Sequence, residues 1–137
     1  MFKTCRTSVR AAALALGAAL LLAGVPGCGS GIPATYPVKG RVVWRGGKPV
    51  EDGRIEFRSL SDPDLKAVGE IGPDGTFSLN THKDGKSRRG AVAGQHKVVV
   101  EPDMGDGSPS LVVVLPNPYT VEPKENDFTI EVTPRRP

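Results

Sequence analysis

The chain has 137 residues, room for one domain. It holds 18 basic and 15 acidic residues, but Lys3, Arg6 and Arg10 precede Cys28 and no acid does, so from Cys28 onward the chain carries 15 of each and is formally neutral. This excludes a nucleic-acid partner inferred from the basic isoelectric point, because phosphate binding needs a concentrated basic surface; the two cysteines, Cys5 and Cys28, leave no disulfide for the domain that follows.

The first ten residues are basic and lack acids, and Ala11 to Val25 is almost wholly apolar. A basic start, a short apolar run and small residues after it predict a secretory signal. The run falls short of the ~20 residues a membrane-spanning helix needs. The leader ends Val25-Pro26-Gly27-Cys28-Gly29-Ser30. This resembles the lipobox of bacterial lipoproteins: Gly27 and Val25 match the family pattern, and Pro26 departs from the Ala, Ser or Thr usual there. The resemblance implies diacylglycerol attachment at Cys28 and removal of residues 1–27 as a lipoprotein signal peptide. It also implies export, with membrane anchoring at the outer membrane or the periplasmic face of the inner one. Two or three acyl chains on one cysteine anchor stably where a single chain does not.

Residues 28–37 read as a flexible tether, since Gly-Ser-Gly-Ile-Pro-Ala-Thr-Tyr-Pro offers no means of burying a core. About nine residues at ~3.3 Å each span at most ~30 Å. From Val38 the pattern changes to period two, with Val38, Gly40, Val42 and Trp44 on one face and Lys39, Arg41 and Arg45 on the other. Gly46-Gly47-Lys48-Pro49 breaks the run, and a second strand follows in which Ile55 and Phe57 alternate with Arg54, Glu56 and Arg58. The sequence predicts a loop over Ser59–Leu65, a weak strand over Lys66–Ile71 and a turn at Pro73-Asp74-Gly75. Phe77 and Leu79 alternate with polar neighbours, Asn80–Gly90 reads as a polar loop, and Gln95–Val100 reads as a strong strand. Beyond the Glu101–Pro109 loop, Leu111–Leu115 is a β-branched run, Pro116-Asn117-Pro118 interrupts it, and Tyr119–Val121 leads to a turn at Glu122–Glu125. Phe128, Ile130 and Val132 share a face of the final strand, and 134–137 forms a tail.

These seven or eight short strands, with no helical pattern longer than ten residues after the leader, predict an all-β sandwich over residues 38–133. Its inward set is Val38, Val42, Trp44, Ile55, Phe57 and Phe77 in the first half, then Leu79, Val98, Val100, Leu111, Val113, Phe128, Ile130 and Val132.

Val38-x-Gly-x-Val, Gly47-Lys-Pro-Val, Gly53-x-Ile-x-Phe, Pro73-Asp-Gly-x-Phe-x-Leu and Ala93-Gly-x-x-x-Val-x-Val follow one another in this order. That order resembles the carboxypeptidase regulatory-like domain, a transthyretin-like (prealbumin-like) Greek-key sandwich. With the lipobox, the layout resembles the small exported lipoproteins of planctomycete-type bacteria. The resemblance implies a fold and no particular activity; where such domains carry Tyr, this chain has His96. One transthyretin-like branch is a hydroxyisourate hydrolase that ends Tyr-Arg-Gly-Ser. This chain ends Thr-Pro-Arg-Arg-Pro, so that activity does not carry over.

No pattern in the chain points to catalysis or a cofactor. His82 and His96 are the only histidines and have no partner at zinc-ligand spacing; His82 reads as solvated and His96, sharing parity with Val98, as a core-edge residue with one nitrogen bonded. No Gly-x-Ser-x-Gly elbow is present. Glu101, Asp103 and Asp106 lack EF-hand spacing and read as a soluble loop. The local basic run Lys83, Lys86, Arg88 and Arg89 is the candidate for contact with an anionic surface, lipid headgroup or envelope glycan. The expected role is a non-catalytic, lipid-anchored envelope module, structural or protein-binding. The alternative is a carbohydrate-binding module built on exposed Trp44 and Tyr119.

Overall fold

The computed structural model describes residues 31–108 and 111–134; the leader, the lipid-attachment candidate Cys28 and residues 135–137 lie outside them. The described residues form strands and no helix: β1 (Thr35–Tyr36), β2 (Val38–Trp44), β3 (Gly53–Ser59), β4 (Lys66–Ile71), β5 (Thr76–Ser78) and β6 (Asn80–Lys83). The rest are β7 (Lys86–Arg89), β8 (Ala91–Val92), β9 (Gly94–Pro102), β10 (Val113–Val114), β11 (Tyr119–Val121) and β12 (Asn126–Val132). One sheet runs β7-β6-β4-β3-β9, with β10 and β11 both paired to the outer side of β9. A second, smaller sheet has the order β12-β2-β5, and β1 pairs with β8. The ladders are antiparallel except β2–β12, which is parallel and in register from Asn126 opposite Val38 to Val132 opposite Trp44.

The period-two pattern explains the layers. Alternate residues of each strand point to one face, and the two apolar faces close on each other as a sandwich. Val42, Phe77, Ile130 and Val132 of the small sheet meet Ile55, Phe57, Val98 and Val100 of the large one, all of them buried. Eleven of the fourteen residues read as inward are buried; Trp44, Leu111 and Phe128 are half-buried and pack on the core. Val50, Ala67, Ile71, Ala91, Leu115 and Val121 complete it. Phe57 is the centre, with ring centroids of Phe77, Phe128, His96 and Tyr119 all between 5.9 and 6.4 Å away.

Three expectations change. The two strands on either side of the Gly-Gly-Lys-Pro turn do not pair with each other: β2 joins the small sheet and β3 the large one. The Gly-Gly-Lys-Pro turn closes on itself, with the Trp44 N–H donating to the Lys48 carbonyl at 2.7 Å and the Val50 N–H to the Val42 carbonyl at 3.0 Å. Asp52, at φ 58°, then redirects the chain to the other sheet.

Asn80–Gly90 is not a loop but the hairpin β6–β7. Asp84 and Gly85 sit at φ 50° and 73°, the left-handed pair a two-residue hairpin turn requires. Thr81 is buried, and its hydroxyl donates to the Gly90 carbonyl at 2.8 Å.

The tether, read as residues 28–37, is docked from Ile32 onward. Ile32 is buried, Thr35 and Tyr36 pair with Val92 and Ala91, and the Thr35 hydroxyl donates to the Arg89 carbonyl at 2.7 Å. One apolar side chain and two strand residues suffice to seat a segment whose composition reads as linker.

Candidate functional site

Strand register divides the sandwich into two poles. Ser59 opposite His96 and Lys66 opposite His82 mark the first; Gly53 opposite Ile71 and Pro102 marks the second. The Gly46-Gly47 and Pro73-Asp74-Gly75 turns belong to the second pole, joined where the Val42 N–H donates to the Gly75 carbonyl at 2.8 Å. The β6–β7 turn projects from the first pole, and the N-terminal arm enters there.

The arm is held by the hairpin itself. The Arg88 guanidinium donates from Nη1 to the Ile32 and Pro33 carbonyls at 3.3 and 3.2 Å. Gly90, at φ 92°, lies against the Tyr36 carbonyl, where any Cβ would collide with it. Arg88, read from the sequence as a surface-contact residue, is therefore committed largely to the protein's own backbone.

The other three basic candidates are placed differently. Lys83 and Lys86 face each other across the hairpin on the side of Arg88, and Arg89 points to the opposite side. Lys83 reaches Asp62 at 3.5 Å. Lys86 and Arg89 are exposed and have no ion-pair or hydrogen-bond partner among the described side chains. From Asn80 to Arg89 the four cations face one acid, Asp84. Every residue of β7, an edge strand, is exposed. Its cations also disfavour pairing with another sheet edge. The signal for this hairpin was present as Asp84-Gly85, a strong short-range hairpin dipeptide.

His96 is 1 % exposed. Its Nε2–H donates to the Val92 carbonyl at 2.8 Å, which fixes the tautomer and leaves Nδ1 without a partner among the described residues. Burial lowers its pKa below 6.5, while the Val92 and Phe57 backbones pull weakly the other way. Its ring packs on that of Phe57 at 5.9 Å, Ser59 lies opposite it on β3 with its hydroxyl bonded to that of Ser61, and none of the principal clefts includes it. His82 is exposed on β6 beside two shallow clefts. No group of three or more His, Cys, Asp or Glu among the described residues could hold a metal ion. In the loop that follows β9 the Asp103 and Asp106 carboxylates accept from the Gly105 and Ser108 amides, each at 2.9 Å, as in ordinary Asx turns; Glu101, read as part of this loop, lies within β9.

Trp44 and Tyr119 are both half-buried. Tyr119 stacks edge-on to Phe128 at 5.4 Å, and burial raises its pKa above 10.0. Phe128 lies opposite Gly40, so Trp44 is four residues, about 13 Å, further along β2. The two aromatics therefore do not form one platform. A different surface is apolar: Val112–Pro116 with Glu131 and Thr133 lines a groove of about 450 Å³ between β10 and β12, an edge strand of each sheet. Val112 and Val114 are 54 % and 43 % exposed there.

Comparison with protein-family models, curated proteins and solved structures finds no match to the chain.

Proposed function

We propose that this chain is an exported, lipid-anchored sandwich of the transthyretin-like kind that presents a binding surface at the cell envelope and performs no chemistry itself. The observation that carries this reading is the position of Ile32. Ile32, the first buried residue among those described, follows the lipobox-like Cys28 by four positions, so the docked arm leads back toward the proposed lipid site. Binding rather than catalysis is supported by His96, whose buried ring bonds a backbone carbonyl and packs on Phe57, while the hydroxyl of Ser59 opposite it is bonded to that of Ser61 and not to the imidazole. Separation of Trp44 from Tyr119 favours a protein partner over a carbohydrate one. The β10–β12 groove suits such a partner, because two strand edges beside exposed valines can accept an extended segment.

Fractionation of the native host carrying the wild type or Cys28→Ala tests the anchor. The wild type is expected in the membrane pellet and the variant is not expected there as a processed protein. Identical soluble, cleaved forms of both would overturn the reading.

A further inference from the structure

We infer that the pole bearing the β6–β7 hairpin is the face that lies on the membrane, with Lys83, Lys86 and Arg89 against anionic lipid headgroups and Arg88 locking the arm that fixes this orientation. The inference deepens the proposed function and rests on its lipid at Cys28.

The argument is first one of lengths. From the Cα of Cys28 to that of Ile32 are four steps, at most about 14 Å fully extended. The nine residues of β9 run from the first pole toward the second and cover about 30 Å. A lipid at Cys28 therefore leaves too little free chain for the second pole to reach the bilayer. The arm cannot lengthen without cost, because Ile32 is buried, Thr35 and Tyr36 are paired with β8, and Arg88 holds two arm carbonyls.

The second argument is charge. The hairpin beside the arm carries four cations and one acid; Lys86 makes no ion pair or hydrogen bond among the described residues, and Arg89 makes none but lies near enough to Glu125 to lower that carboxylate's pKa. The other loops of the same pole carry Asp62, Asp64, Glu122 and Glu125 against Lys124, which leaves that pole formally neutral, whereas the turns of the opposite pole carry Glu51, Asp52, Asp74, Asp103 and Asp106 against Arg45 and Lys48; Arg135 and Arg136 lie beyond the described residues. An anionic surface thus repels the opposite pole and attracts the hairpin, which concentrates positive charge on the pole that the tether already brings to it. Such attraction acts only within about one Debye length, ~8 Å at physiological salt, a range the short arm allows.

The test makes the anchor chemically, so that it does not depend on processing in the host. A chain beginning at Cys28, whose thiol is the only one it contains, is coupled to a maleimide-headgroup lipid. The vesicles are phosphatidylcholine, with or without phosphatidylglycerol, and amide hydrogen exchange is followed. Added phosphatidylglycerol is expected to slow exchange over residues 82–89 and to leave the turns at 46–48 and 73–75 unchanged. Slowing at those distant turns, or no dependence on phosphatidylglycerol, overturns the orientation. Each basic side chain near such a surface contributes about fivefold in binding. Lys86→Gln with Arg89→Gln, both at exposed positions, is therefore expected to weaken binding of the unlipidated chain to the anionic vesicles about twenty-five-fold. Unchanged binding refutes the headgroup contact. Loss of lipid in the host with an intact vesicle response would instead refute the anchor alone.

Discussion

Phe57→Ala is the sharpest test of the packing. The side chain is fully buried on β3, and its neighbours come from both layers: His96 and Tyr119 from the large sheet, Phe77 and Phe128 from the small one. Truncation removes roughly 100–130 Å² of buried apolar area, about 3 kcal/mol at ~25 cal/mol per Å². Lost ring contacts add about 1 kcal/mol in all, since a well-oriented aromatic pair contributes about 0.5–1.5 kcal/mol and the four pairs here are tilted rather than stacked or edge-on. The void cannot collapse easily, because closing it requires movement of two hydrogen-bonded sheets toward each other. The expected loss is about 4 kcal/mol, within the range measured for buried Phe→Ala changes. Against a total of about 5–15 kcal/mol this leaves a marginal domain. Urea unfolding with a slope near 1.2 kcal/mol per molar should show the midpoint falling by about 3 M. Phe128→Ala, at a half-buried ring, should cost clearly less. A Phe57→Ala loss below about 1.5 kcal/mol, or one smaller than that of Phe128→Ala, would refute the placement of Phe57 at the centre.

Two further outcomes are expected. The folded pKa of His96 lies below 6.5, so the unfolded chain takes up a proton first; stability contributed by the neutral ring is complete above pH 6.5 and declines as pH falls below it. Unfolding curves from pH 7.5 to 5 should show this decline, and it should shrink in His96→Phe; an unaltered pH dependence in that variant would assign the effect elsewhere. Asn126 is 5 % exposed, and its Nδ2 donates to the Glu122 and Lys124 carbonyls at 3.0 and 2.7 Å while Oδ1 accepts from the Glu122 N–H at 2.9 Å. At about 1 kcal/mol per lost bond, Asn126→Ala should destabilise by about 2–3 kcal/mol. A change under 0.5 kcal/mol in chemical denaturation would mean that the turn before β12 holds itself.

The legible part of the fold was the part with a local signature. Val38, Val42, Phe57, Val98 and Ile130 each declared a buried face by parity with their neighbours, and that face is buried. Pro73-Asp74-Gly75 declared its turn, where the Asp74 carboxylate accepts from the Thr76 N–H and hydroxyl at 3.1 and 2.6 Å. The β6–β7 hairpin was hidden because its strands carry polar side chains on both faces; only Thr81 turns inward to the core, and it is not apolar. The arm was hidden because one isoleucine among Gly, Ser and Pro makes no pattern. The basic candidates were visible as a run. Their separation to two faces, and the commitment of Arg88 to the Ile32 and Pro33 carbonyls, depends on strand register and on contacts more than 50 residues apart in sequence. The sheet to which β3 belongs is decided by β4 and β9, strands that the Gly-Gly turn cannot specify.

The parallel β2–β12 ladder sets an order of events. Its first partners, Val38 and Asn126, stand at opposite ends of the domain's sequence, so the small sheet stays one strand short until nearly all of the chain is available. Contacts of such long separation form slowly, since loop-closure entropy must be overcome before they stabilise anything. In a chain threaded through a membrane from its N-terminus, this would postpone folding: Ile130 and Val132 cannot seal the sandwich while they remain on the side of synthesis. For an exported chain, as proposed above, the pairing that completes the core is also the one that delays its closure until after passage.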